Sequence, residues 1–223
     1  MTAGKPCAAP VKVTFDIVLF EGVDELDVVG PFEVLRRAEA LGAGLAVRLC
    51  SRAGTGPVRG AFGLVFQPDC EFVPGAAGVV VVPGGGWVAR ADVGAWAEVK
   101  RGDWPRLLSE SASAGSVIVG ICTGAMLLAH AGLLQAHRAT THHDAQADLA
   151  MLGVEVVSQR VVDEGPVVTS GGVTSGMDLA LWLVSRYFGE SLAGVVADGL
   201  EYPWAAPGPL EEAERGAVAQ PAP

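Results

Sequence analysis

The chain has 223 residues, half of them hydrophobic, with 30 glycines, 14 prolines and a formal net charge of −10. So acidic a balance, with no run of Lys or Arg, excludes nucleic-acid binding, because phosphate recognition rests on clustered cations. No stretch reaches the roughly 20 apolar residues of a membrane span and the start lacks a signal peptide's apolar run, so the expectation is a cytoplasmic protein built around one large domain.

In chain order, residues 1–10 read as an N-terminal extension, 11–202 as one folded domain, and 203–223, rich in Pro, Ala and Glu, as a loosely held tail. The β-branched run "VKVTFDIVLF" predicts a first strand ending near Phe20. "GPFEVLRRAEALGA" predicts a helix with Pro31 in its first turn and Gly42 at its stop. "LAVRLCS" is a second strand, and the glycine-broken "PVRGAFGLVFQPD" a hairpin. The non-alternating valines Val79 to Val82 predict a strand covered on both faces, ending at Pro83 and three glycines. A helix from about Asp103 to Ala114 leads into a buried strand, Ser116 to Ile121, and then a helix from Ala125 to Gly132. "RATTHHDAQADLAML" reads as a loop entering a helix, "GVEVVSQRVVDEGPVVTSGG" as short strands, and "VTSGMDLALWLVSRYFG" as an amphipathic helix. Strand and helix alternating at this pace indicate an α/β sandwich with a mostly parallel central sheet.

Cys7, Cys50, Cys70 and Cys122 lack the short spacing of a zinc site and are expected as free thiols. One of them stands apart. Residues 120–124 read Gly-Ile-Cys-Thr-Gly, the G-x-nucleophile-x-G pattern of a sharp strand-to-helix elbow. Glycines flank the thiol because a side chain at either position would collide with a neighbouring strand or helix. Cys122 is the expected nucleophile, and its place at a helix start predicts a thiol pKa below the free value of about 8.5.

Developing negative charge on a substrate needs donors nearby. The loop "VVPGGG" supplies backbone N–H groups at Gly84 and Gly85, and Gly85 N–H with Thr123 N–H would form an oxyanion-type hole. For a general acid, Asp27 stands out within "EGVDELDVVGP": Leu26, Val28 and Val29 flank it, and a helix is expected to begin at Gly30 to Pro31. A carboxyl in that setting is partly buried with a raised pKa. Trp87, beside the glycine-rich loop, is the best candidate for a pocket wall, ahead of Phe32 and Trp204.

Together "LFEGVDELDVVGPFEVL", "VVPGGG", "VGICTGAMLLAHAGLLQAHRATTHH", "SGGVTSGMDLALWLV" and "LEYPWAAP" resemble the DJ-1/PfpI superfamily and, within it, the isocyanide hydratases. The resemblance runs from about Val11 to Pro207. It implies a flavodoxin-like fold of the class I glutamine amidotransferase type, a homodimer, a small-molecule substrate, and no cofactor or metal. It further implies Cys122-Thr123 as the catalytic pair, Asp27 in an L-D-x-x-G-P motif, oxyanion groups at Gly85 and Thr123, and His142 of the T-T-H segment near the site. The implied reaction adds water to an isocyanide through a covalent thioimidate, giving an N-substituted formamide.

Departures narrow the choice. Proteolytic relatives carry histidine after the nucleophile, where this chain has Thr123, and none of its histidines is followed two residues later by the glutamate that amidotransferases need. His143 stands where isocyanide hydratases carry an aromatic residue, which would reshape the pocket wall. The alternatives are a glyoxalase-like or biosynthetic hydratase or lyase using the same Cys/Asp site, and a non-catalytic redox or ligand sensor. The pattern also resembles the ligand-sensing domain of AraC-type regulators, a reading disfavoured because no basic recognition helix is visible.

Overall fold

The computed structural model describes residues 12–207; most of the expected extension and tail, Cys7 included, lies outside the described residues. β1 (Val13–Leu19) leads to α1 (Glu25–Ala40) and β2 (Leu45–Ser51). Three short strands follow: β3 (Val58–Arg59) and β4 (Val65–Phe66), paired as the expected hairpin, and β5 (Cys70–Glu71). The centre is built from β6 (Val79–Val82), α2 (Ala95–Arg101), α3 (Asp103–Ser113), β7 (Val117–Ile121) and α4 (Gly124–His130). Next come β8 (Arg138–Ala139), a 3-10 turn at His143–Ala145, α5 (Gln146–Met151), β9 (Glu155–Val156), β10 (Val161–Asp163) and β11 (Val167–Ser170). The helices α6 (Ser175–Phe188) and α7 (Glu190–Gly199) complete the domain. Of these, α2 and α7 had no counterpart in the sequence reading.

The main sheet runs β10-β11-β7-β6-β1-β2-β5 and is parallel except at β10–β11. Helices α1, α6 and α7 pack on one another, as do α2, α3 and α4. The two helical layers enclose the sheet, and all four valines of β6 are buried, as their unbroken β-branched run requires. This is the expected mostly parallel α/β sandwich. Among the described residues, no helix is long and apolar enough to cross a membrane.

Register decides what meets at the carboxyl edge. Val82 of β6 lies opposite Gly120 of β7, and Gly120 in turn lies opposite Thr169 of β11. β1 flanks β6 on its other side. The connections β1–α1, β6–α2, β7–α4 and β11–α6 therefore converge outside the same strand ends, where open α/β sheets form their crevices.

One boundary differs from expectation. Helix α1 starts at Glu25, not at Gly30 to Pro31, because Asp24 caps it: its Oδ1 accepts from Leu26 N–H at 3.1 Å. Pro31 sits inside the helix, where it removes one hydrogen bond without stopping the chain. The earlier start carries Asp27 into the first turn and points its side chain into the protein.

Candidate active site

Cys122 is an elbow in backbone terms. Its φ is +54°, a left-handed conformation that costs a non-glycine residue about 1–2 kcal/mol. The surroundings hold it there. Cys122 N–H donates to the carbonyls of Ser170 and Gly171, both at 3.1 Å, and its own carbonyl accepts from the Thr141 hydroxyl at 2.8 Å. Strain so tightly braced is characteristic of functional positions.

The flanking glycines serve close approach. A Cβ at Gly124 would lie 2.0 Å from the Val82 carbonyl oxygen, and one at Gly120 would lie 3.0 Å from the Ala125 backbone. Helix α4 thus begins hard against β6 and folds back over β7, which sets the sulfur at the head of the crevice, as the sequence motif implies.

Beneath the sulfur lies Asp27, fully buried. Its Oδ2 accepts from Gly84 N–H at 2.8 Å, while Oδ1 is buried with no N–H or O–H to bond to. The Cys122 thiol bears on this carboxyl as a weak hydrogen-bonding partner. Burial holds the Asp27 carboxyl well above the usual carboxylate range, with Asp24 adding to the effect and Gly84 N–H and the thiol opposing it. The expected buried acid is in place.

The thiol itself reverses an expectation. Burial, reinforced by the facing Asp27 carboxyl, pushes the Cys122 pKa above its ordinary value, although the N–H groups of Val173 and Thr123 oppose the shift. Helix α4 has only seven residues, so its dipole is short, and a sulfur with 5% exposure has lost most of its hydration. Burial thus disfavours the charged form of both the thiol and the carboxyl beside it.

The oxyanion arrangement also differs. Gly85 N–H donates to Thr123 Oγ1 at 2.9 Å, and Thr123 N–H is directed at the Cys122 sulfur, so the two do not converge on one vacant position. The close approach explains Gly84, where a Cβ would lie 2.5 Å from Thr123 Oγ1 and 3.1 Å from Asp27 Oδ2. These glycines let the β6–α2 loop lie directly on Asp27 and Thr123.

Cys122 and Thr123 open onto a cavity of about 230 Å³ whose wall includes Asp24, Gly85, Trp87, His142 and Val173. Trp87 lines this cavity, held by its Nε1–H to Asp148 Oδ2 at 2.6 Å, whereas Phe32 and Trp204 do not. His142 lines the cavity as well; burial lowers its pKa, aided by His143, whose ring stacks on it at 4.3 Å. Among the described residues, His142, His143 and Asp144 bring donor atoms within 4.8 Å of one another. The Asp144 backbone N–H already occupies His142 Nδ1, however, and His143 and Asp144 lie exposed.

Two wall residues escaped sequence reasoning. Asp24, half-buried, has a carboxyl pKa raised by that burial. Val173 has φ +37°, an outlier for a β-branched residue, and turns its N–H toward the Cys122 sulfur. The two glycines before Val173 are the only local signal for such a turn. A neighbouring apolar hollow, lined by Leu26, Phe62, Leu64 and Val173, adjoins the cavity at Asp24 and Val173.

Comparison with known proteins places this geometry. The model of the DJ-1/PfpI family matches residues 12–186. The isonitrile hydratase of Pseudomonas putida is 36% identical over 195 residues, covering 85% of this chain and 78% of that protein. The HTH-type transcriptional regulator CdhR of Pseudomonas aeruginosa is 32% identical over 190 residues, covering 82% of this chain and 53% of the regulator. A crystal structure of a THiJ/PfpI family protein from Pseudomonas syringae shares the fold with a TM-score of 0.75 at 23% identity, covering 96% of this chain and 85% of that one.

Proposed function

This chain belongs to the DJ-1/PfpI family, and from that premise we propose that it is a cysteine-dependent hydratase adding water to an isocyanide. The observation that carries the reading is the buried Cys122–Asp27 pair, each group held toward its uncharged form by burial, behind a small cavity with an apolar mouth. The 36% identity to an isonitrile hydratase over most of the chain supports the same chemistry.

A terminal isocyanide carbon needs both a nucleophile and a proton, and a neutral thiol–acid pair supplies both without creating a buried charge. Cys122 Sγ bonds to the carbon of R–N≡C as the carboxyl of Asp27 gives that carbon its proton and takes the thiol proton in exchange. The product is a thioimidate, R–N=CH–S–Cys122. Gly84 N–H on Oδ2 leaves Oδ1 as the oxygen that carries the acid proton. Water then adds to the C=N carbon, its protons passing to nitrogen and, through Asp27, to the departing sulfur. R–NH–CHO leaves and the thiol is regenerated, so the balance is R–N≡C plus H2O. Thr123, fixed by Gly85 N–H on its oxygen, keeps its hydroxyl proton available to orient that water. Trp87 and the apolar hollow at Leu26, Phe62 and Leu64 hold R. No step needs a metal or cofactor.

The assembly that goes with this reading is a homodimer, for which the exposed Leu41, just after α1, and Val195 of α7 offer one apolar face. Sedimentation of the full chain measures this directly.

The deciding experiment incubates the purified chain with an alkyl or aryl isocyanide and, separately, with methylglyoxal. Intact-mass spectrometry follows adducts on Cys122 and chromatography follows products. Formamide from the isocyanide, lost in Cys122→Ala, supports the proposal. Lactate from methylglyoxal without formamide would replace it with the glyoxalase reading.

A further inference from the structure

We propose that Cys50 and Cys70 form an oxidative modification site, distinct from Cys122, at which a peroxide joins the two thiols across the edge of the sheet. The two are register partners on the parallel strands β2 and β5, and their sulfurs lie 3.1 Å apart as free thiols. A disulfide bond of about 2.0 Å is then within reach of a shift of about 1 Å, at strand spacings within the range that disulfides span. The wide spacing of the cysteines along the chain gives no hint of the pair.

The environment divides the roles. Cys70 is partly exposed on the two-residue edge strand β5, while Cys50 is completely buried in β2. Burial, followed by its contact with Cys70, pushes the Cys50 thiol pKa up. Arg48, bidentate on Asp16 at 2.7 and 2.8 Å, stands close enough to interact with both sulfurs. Cys70 is therefore the thiol that meets the oxidant, and Cys50 the one that resolves it.

The chemistry balances with hydrogen peroxide as the oxidant. Cys70 sulfur attacks one peroxide oxygen, the O–O bond breaks, and water leaves a sulfenic acid, Cys70–SOH. Cys50 sulfur then displaces the hydroxyl, forming S–S, and its proton leaves with the hydroxide as water. Two thiols lose two hydrogens and two electrons; one peroxide becomes two waters. A dithiol reductant reverses the step.

The site has a structural reach. Cys50 and Cys70 bracket the segment that carries the β3–β4 hairpin, and Phe62 and Leu64 of that hairpin line the hollow beside the Cys122 cavity. The hairpin is tied to the start of α1, where Glu25 Oε1 accepts from Phe62 N–H at 2.7 Å and Leu64 N–H at 3.3 Å. A covalent bond at its base closes this segment into a loop and restricts its opening.

The test treats the full chain with a small excess of hydrogen peroxide, alkylates free thiols, and maps the peptides by mass spectrometry. The expected result is a Cys50–Cys70 linked peptide, two hydrogens lighter than its parts and removed by dithiothreitol. It should be accompanied by a rise of several degrees in melting temperature and slower amide exchange across residues 52–69. Cys70→Ser should show neither the link nor the rise. Because the link is read in the peroxide-treated wild-type chain, a poorly folded variant leaves the test standing. Cys50 and Cys70 recovered as free thiols while another cysteine is oxidised, or Cys70 recovered as sulfinic acid without the link, overturns the proposal. None of these readouts depends on isocyanide turnover.

Discussion

The Cys122 thiol rests on the carboxyl of Asp27, and burial disfavours the charged form of each. The two residues come from different strand ends and meet only because β1 and β7 both flank β6. Their contact places a thiol and a carboxyl side by side in one buried environment, the pairing on which the proposed chemistry draws.

Asp27 makes stability depend on pH, and the sign follows from its raised pKa. A carboxyl whose folded pKa exceeds its unfolded one contributes stability fully below the unfolded value and loses it as pH rises through the folded value. The wild type should therefore lose melting temperature as pH climbs above the ordinary carboxylate range. Asp24 and Glu98, also raised by burial, act in the same direction. Asp27→Asn keeps an acceptor for Gly84 N–H but has no proton to lose. The gap between variant and wild type should widen in favour of the variant from about pH 4 upward, measured by thermal melts across the series, while formamide production is lost. Parallel melting curves would contradict the burial argument.

At residue 122 itself, conformation and chemistry separate. Cys122→Ala retains the +54° backbone with a Cβ, whereas Cys122→Gly relieves it. Both should be inactive, yet the glycine variant should be the more stable of the two by about 1 kcal/mol. Denaturant unfolding of the pair reads the difference, and a less stable glycine variant would mean the elbow is not strained.

Thr123 matters through its oxygen. Thr123→Val removes the acceptor for Gly85 N–H and leaves a part-buried donor unpaired, at a cost of about 1–3 kcal/mol. Turnover should fall at least tenfold, chiefly in kcat, and Thr123→Ser should restore most of it. An active valine variant beside an impaired serine variant would show that the methyl group, not the hydroxyl, is what the site uses.

The elbow glycines should differ in tolerance. Gly124→Ala drives a Cβ to 2.0 Å from the Val82 carbonyl oxygen, and backbone must move; Gly120→Ala meets the Ala125 backbone at 3.0 Å. Overpacking costs about 1–3 kcal/mol and sometimes more, so Gly120→Ala should fold with reduced stability and Gly124→Ala should be the more severe. Melting temperatures of the two rank them.

Much of this protein is legible along the chain. The Gly-Ile-Cys-Thr-Gly spacing announces the elbow, the four valines announce a covered strand, and an aspartate among apolar neighbours announces a buried acid. Each is a local pattern, and sterics or hydrophobicity over a few residues suffice to read it. The start of α1 is obscured for a local reason too: Pro31 suits a first helical turn, yet the Asp24 side chain caps a helix that begins at Glu25, well before Pro31 is reached.

What only the tertiary structure decided is everything that depends on how deeply those patterns are covered and by whom. A helix start favours a thiolate only where water or cations help, and here β11, the β6–α2 loop and α1 close over the sulfur, so desolvation outweighs a seven-residue helix. Gly85 N–H was assigned to the substrate, but packing gives it to Thr123. The nearness of Cys50 and Cys70 arises from pairing between β2 and an edge strand twenty residues on, a partnership that no short-range pattern encodes. Side-chain identity and spacing determine which chemistry is available; protonation, donor partners and long-range contacts are settled by burial, a property of the folded whole.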